Sequence, residues 1–184
     1  MEDTGTIRRK DSVLQEIENP QRLYVQKAAK MKLEPQWIVG FVDGEGCFHV
    51  GIAVHKEMTV GYQILPEFNV VQHKRDEQVL HALKAYFGCG VVRKNHDDRL
   101  TYRVRKFEHL TAIIAPFFMK HSLKTKKNTD FKKFCSVLRL MEKGRHLTVE
   151  GLEEIKAIAE QMNVKGMYAE ALAVDDESDD EAVC

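Results

Sequence analysis

One stretch constrains the fold of this 184-residue chain more than any other: Trp37-Ile38-Val39-Gly40-Phe41-Val42-Asp43-Gly44-Glu45-Gly46-Cys47-Phe48. Its first half is apolar, and Pro35 suits the first turn of a helix. Gly40 and Gly44 lie four apart and therefore share one helical face. From Cys47 the hydrophobic period changes. Phe48, Val50, Ile52 and Val54 fall on one face, while Cys47, His49, Gly51, Ala53 and His55 fall on the other, which is the pattern of a half-buried strand. The spacing predicts a short buried helix from about Pro35 to Asp43, stopped at Gly44 or Gly46. Such a helix delivers Glu45 to the start of the strand.

The remainder alternates in the same way. A turn at 56–61 leads to a second strand at 62–71, with Ile64, Phe68 and Val70 inward and Gln63, Leu65, Glu67 and Asn69 outward. Pro66 within it implies an edge position or a bulge. Residues 76–87 read as an amphipathic helix between Asp76 as N-cap and Gly88 as the residue beyond its end. Strands follow at 91–95 and 100–105, joined by a turn at 96–98, with Tyr102 and Val104 inward. Three helices are then expected: 107–115 ending before Pro116, a long one at 123–141, and one at 148–162 capped by Thr148. The order predicts an α+β fold, an αββαββα core with one four-stranded antiparallel sheet, helices on one face, and extra C-terminal helices. Short helices are expected within 12–32. Residues 163–184 have no lasting pattern and are expected to be disordered.

Charge separates along the chain. The 28 Lys+Arg equal the 28 Asp+Glu, yet residues 163–184 hold one Lys and seven acids. Residues 1–162 therefore carry 28 − 1 = 27 basic and 28 − 7 = 21 acidic side chains, a net of +6. A basic body points to a polyanionic partner. The four cysteines lack CxxC spacing, which argues against zinc and for a reducing compartment. No secretory leader and no apolar run long enough to span a bilayer is expected.

The outward sheet residues carry the functional signal. His49, His55, Gln63, Asn69, Arg93, Asn95, Thr101, Arg103 and Arg105 are mostly long donors and amides, and Gly51 and Ala53 leave room for close approach. Arg suits guanine edges, and Asn or Gln suits adenine edges, in the major groove. An ordinary solvated face would mix in more acids; here only Glu67 is acidic. A second basic run, Lys120 to Lys133, could neutralise phosphates, but taken alone it reads as a solvated helix face.

At Ile38–Gly46 the chain resembles the LAGLIDADG homing endonucleases. Phe68-Asn69-Val70-Val71-Gln72, Gly88-Cys89-Gly90-Val91-Val92-Arg93 and Leu123-Lys124-Thr125-Lys126-Lys127 follow at the family's distances, so the resemblance covers about residues 33–160. It implies a domain at 33–162, with an N-terminal extension at 1–32 and an acidic tail at 163–184. It implies that the motif helix pairs with a second copy through Trp37, Gly40, Phe41 and Gly44, giving a homodimer on a long pseudo-palindromic site in double-stranded DNA. Val39 departs from the small residue of the motif and either loosens that pair or points to the core. Glu45 matches the family's acidic metal ligand, and the Gly44 carbonyl can add a second oxygen. Mg²⁺ is the implied ion, with Mn²⁺ or Ca²⁺ able to occupy the site. Gln72 matches the residue that orders the attacking water. Lys124 matches the active-site lysine, with Lys126 as the fallback and Lys74–Arg75 near a second basic position. Asp43 is assigned a structural or interface role, and Cys47 packing.

The implied function is site-specific hydrolysis of both DNA strands by an intron-encoded enzyme. The location implied is a bacterial cytoplasm or an organelle that encodes it. Two rivals use the same scaffold: an intron RNA maturase that assists splicing, and a non-cleaving DNA-binding regulator. A metabolic α+β enzyme would need a phosphate loop or a triad, and neither motif is present.

Overall fold

The structure, a computed structural model, describes residues 31–163. The helices expected within 12–32 and the tail expected at 163–184 fall outside these residues, except for their innermost positions. The elements run α1 (Pro35–Glu45), β1 (Gly46–Val54), β2 (Tyr62–His73), α2 (Glu77–Phe87), β3 (Val91–Lys94), β4 (Arg99–Val104), α3 (Phe107–His109), α4 (Ala115–Lys120), α5 (Lys127–Glu142) and α6 (Val149–Ala159). The four strands form one antiparallel sheet in the order β1-β2-β4-β3.

The helix α1 buries Ile38, Val39 and Val42. Val39 therefore points to the core. The helix runs two residues further than the spacing predicts, so Glu45 is its last residue. Gly46 then turns the chain into β1 with φ −88° and ψ 160°, an extended conformation rather than the left-handed one common after helices. Close approach explains this glycine: an added Cβ would lie 2.6 Å from Val42 Cγ1 and 2.9 Å from the Val42 carbonyl oxygen. Gly88, by contrast, closes α2 with φ +65°. Asp76 precedes α2 as expected, but its side chain makes no capping bond and instead meets Arg75 Nε at 3.3 Å.

The core lies between the inward sheet face and the helices. Phe48 is fully buried, with ring centroids of Phe68, Phe118, Phe131 and Phe134 at 5.1, 5.4, 5.0 and 5.5 Å. The inward residues Val50, Ile64, Phe68, Val70, Tyr102 and Val104 join the same cluster. Pro66 is accommodated as an edge residue would be. It pairs with Val50 of β1, while the β4 ladder starts only at Phe68, so its other side has no strand to donate to.

Besides the end of α1 and that of α6, which stops at Ala159 rather than 162, two expected helix boundaries are wrong, each for a physical reason. The segment from Phe107 does not end before Pro116; a π-helical turn at Leu110–Ile114 carries it on into α4. A proline inside a helix clashes with the carbonyl four residues back, and a widened turn relieves the clash. The long helix starts at Lys127, not at 123. Its preceding residues give their N–H groups to a side chain from elsewhere in the chain, as described below.

Candidate active site and nucleic-acid interface

The end of α1 places Glu45 in solvent at the first step of β1, beside exposed Gly44. One residue back, Asp43 faces the chain. Its carboxylate accepts from Lys124 N at 2.7 Å, Thr125 N at 3.3 Å and Thr125 Oγ1 at 2.8 Å, spanning more than 80 residues of sequence. These bonds hold 123–126 as an irregular loop. Thr125 Oγ1 in turn accepts from Lys127 N at 3.2 Å, which opens α5. Asp43 is thus structural, as its position implied. Asp43→Ala removes an acceptor for two backbone donors, so a loss of about 1–3 kcal/mol is expected in urea unfolding.

At the start of α5, Lys127 turns to the motif. Its ammonium donates to the Gly46 carbonyl. Burial holds it below the ordinary lysine range, while the charges of Asp43, Glu45 and Asp130 pull it back upward. The Lys124 and Lys126 side chains are exposed, and Lys74 is bound to Asp98 at 2.6 Å. Sequence matching selected Lys124, with Lys126 as its fallback, and gave no role to Lys127, which belongs to the same matched run. One signal was available: a lysine at the first position of a helix opposes the macrodipole, and a residue that breaks a local rule often serves a site.

Gln72 lies near the end of β2, half-buried and paired with Leu100. Gly46 pairs with Val70, so Gln72 sits two residues beyond that pair, at the same end of the sheet as Glu45. The opposite flank of α1 is open. Trp37 is 43% exposed and stacks on Phe41 at 4.8 Å. Gly40 and Gly44 are both exposed, and a Cβ at either would meet nothing within 4 Å.

The outward sheet face divides into open and occupied parts. Ala53 is exposed, Gly51, Gln63, His55, Arg93 and Asn95 are half-buried, and more than half of the Arg105 side chain is exposed. Asn69 and Thr101 are instead buried, at 3% and 6% exposure. Asn69 Nδ2 donates to Glu67 Oε1 at 2.9 Å, and Thr101 Oγ1 donates to the Tyr102 carbonyl at 3.5 Å. These two are therefore not open donors on the surface, because neighbouring long side chains cover them. Glu67 is itself 5% exposed. Burial pushes the His49 imidazole below its ordinary pKa, opposed by the Glu67 charge and reinforced by Arg105. A separate cleft of about 380 Å³, lined by Lys74, Glu77, His81, Arg93, Asp98 and their neighbours, opens between α2 and the β3–β4 hairpin.

The residues suit a divalent metal. An exposed carboxylate at Glu45 and the neighbouring Gly44 carbonyl are hard oxygen donors of the kind Mg²⁺ takes. Among the described residues no cluster of three or more His, Cys, Asp or Glu converges.

A four-stranded antiparallel sheet backed by helices, with an acidic motif ending the helix that feeds its first strand, defines the homing-endonuclease class of fold. Residues 38–138 match the family model described as LAGLIDADG endonuclease, and the chain belongs to that family. It is similar to a probable intron-encoded endonuclease 2 of Neurospora crassa, 34% identical over 125 residues, which are 67% of this chain and 28% of that protein. Among solved structures it is similar to the homing endonuclease I-TnaI, at 61% identity and TM-score 0.71 over 73% of this chain and 91% of that one. It is also similar to I-SmaMI bound to cleaved DNA, at 39% identity and TM-score 0.71 over 72% of this chain and 44% of that one. The chain thus spans about a quarter of the length of the curated relatives it matches. No helix among the described residues is long and apolar enough to cross a membrane.

Proposed function

We propose that this chain is a site-specific double-strand DNA endonuclease, Mg²⁺-dependent, acting as a homodimer on a long pseudo-palindromic site. The observation that carries the reading is the juxtaposition at the α1–β1 junction: an exposed Glu45 carboxylate beside a lysine, Lys127, held by the Gly46 carbonyl. Residues 33–162 are the unit that performs it. The intron-encoded relatives and the DNA-bound I-SmaMI support the substrate.

Glu45, with the Gly44 carbonyl, would hold the metal. Bound there, the metal supplies activation of water and stabilisation of the leaving oxygen. Gln72 orders the attacking water by hydrogen bonding. Lys127 places a positive charge where negative charge develops on the phosphate. The basic outward face, with Arg93 and Arg105, neutralises phosphates and reads base edges. A second copy of α1 packs on the Gly40–Gly44 face, since small residues there let two helix backbones approach closely. It brings the second carboxylate that one chain lacks.

Lys127→Met is expected to lower the cleavage rate about a hundredfold, in the range found for loss of one charge-stabilising donor, while Lys124→Met costs far less. Because burial lowers the Lys127 pKa, its charge is lost at lower pH than an ordinary lysine's. Cleavage is therefore expected to fall on the alkaline side, and Lys127→Arg to extend the plateau upward in pH–rate profiles.

The test of the function is cleavage of the intronless host locus. The protein is incubated with that DNA and Mg²⁺ and the ends are mapped. Paired cuts at one site support the reading. Tight DNA binding with no cutting, or RNA binding without DNA cleavage, would overturn it.

A further inference from the structure

Glu67 is out of place on the face proposed above to contact DNA. It is the one acid among the outward residues of the strands there, and a carboxylate facing phosphates weakens binding. It is also too buried, at 5% exposure, to reach a base. Both of its oxygens are engaged by the same face. Oε1 accepts from Asn69 Nδ2 at 2.9 Å. Oε2 accepts from Arg105 Nε and lies 3.7 Å from Arg103 Nε. Register explains the convergence: His49 pairs with Glu67, and Asn69 pairs with Arg103, so all sit on one side of three adjacent strands. Arg103 is 11% exposed and Arg105 53% exposed at the side chain.

The two arginines therefore differ in what they can do. Arg103 is largely covered by the cluster. Arg105 is pinned at Nε by a carboxylate below it, and more than half of its side chain stands above the sheet. A long arginine normally loses rotamer freedom when it docks on a base, and an anchor beneath it removes that cost before binding. A guanidinium held with its outer nitrogens upward matches the two acceptors of a guanine edge.

We propose that Glu67 is a specificity-determining residue that acts through Arg105, orienting it to read a guanine in each half-site. This rests on the DNA-binding reading above. Glu67 gives up some general affinity, because its charge opposes phosphate, in return for discrimination at the base pair under Arg105.

The experiment is selection of bound duplexes from a library randomised across the half-site, in EDTA so that no cutting occurs, with Glu67→Gln, Arg105→Met and the double variant beside the wild type. Gln keeps the size of Glu67 and one acceptor. Wild type is expected to enrich one position for guanine about tenfold or more, within the range of a bidentate arginine contact. Glu67→Gln is expected to lose most of that enrichment while binding unselected DNA a few-fold more tightly. In the Arg105→Met background the Glu67 change is expected to leave the base profile unaltered. An unchanged profile for Glu67→Gln, or a change that persists without Arg105, overturns the proposal. Circular dichroism melts of every variant identify any that is not folded, and Glu67→Asp replaces such a variant, with the profile judged in the same way. Failure of the wild type to bind any DNA sinks the endonuclease reading itself, a result distinct from an unaltered profile.

Discussion

Glu45→Gln is expected to abolish cleavage, with the single-turnover rate falling at least about a thousandfold, or about 4 kcal/mol in the barrier. Affinity for the target is expected to hold or rise. The change is nearly isosteric, and the side chain is exposed at the last turn of α1, so stability should stay within about 0.5 kcal/mol of wild type. A glutamine is a poor ligand for a hard divalent ion, which prefers charged oxygen, so the loss falls on the step that needs the metal. Removing one negative charge near the phosphates also lowers repulsion in the bound state. Gel-shift binding and mapped cleavage on the same DNA separate the two effects. Equal cutting by variant and wild type would end the assignment of Glu45.

If the proposed homodimer forms through α1, Gly40→Leu is expected to convert it to a monomer without unfolding the chain. An added Cβ at Gly40 meets nothing within 4 Å in the single chain, and in an exposed helix interior, replacing glycine is stabilising by roughly 1 kcal/mol for alanine. The single chain therefore gains or loses little. At a two-fold interface, however, each substitution appears twice, and overpacking costs about 1–3 kcal/mol per site. The dimer should weaken by about 2–6 kcal/mol, roughly thirtyfold to ten-thousandfold in Kd. Sedimentation equilibrium reads the mass and thermal melting reads the fold. Double-strand cleavage should be lost in parallel, because in the proposed dimer each subunit contributes one carboxylate. A Leu variant that stays dimeric would show that α1 does not form the interface.

The chain thus combines two kinds of residue near the motif. Val39 and Val42 anchor α1 in the core, while Trp37, Gly40 and Gly44 stay open on its other flank and Phe41 is half-buried beside them. Asp43 ties α1 to the loop before α5 across more than 80 residues. A substitution in that loop can therefore disturb the site without touching Glu45.

Periodicity and punctuation alone determined much of this. The change from helical to alternating spacing at Glu45–Phe48 marked the α1–β1 junction, and the inward residues Phe48, Val50, Ile64, Phe68, Val70, Tyr102 and Val104 were readable because a pleated strand buries every second side chain; Val54, expected inward, is exposed at the free end of β1. Local chemistry also placed Gly88 and Thr148 at helix ends. What local spacing could not reveal depends on contacts between distant segments. The start of α5 at Lys127 follows from Asp43 capturing two N–H groups far along the chain. The passage through Pro116 follows from a π turn packed in the core. On the outward face, alternation correctly sorted residues to one side but could not tell exposed donors from covered ones. Asn69 and Thr101 are covered, and Glu67 gathers two arginines, because side chains from three strands meet there. Periodicity sets the face on which a residue lies; only the packing of strands against each other decides whether its polar groups are spent on neighbours or left for a partner.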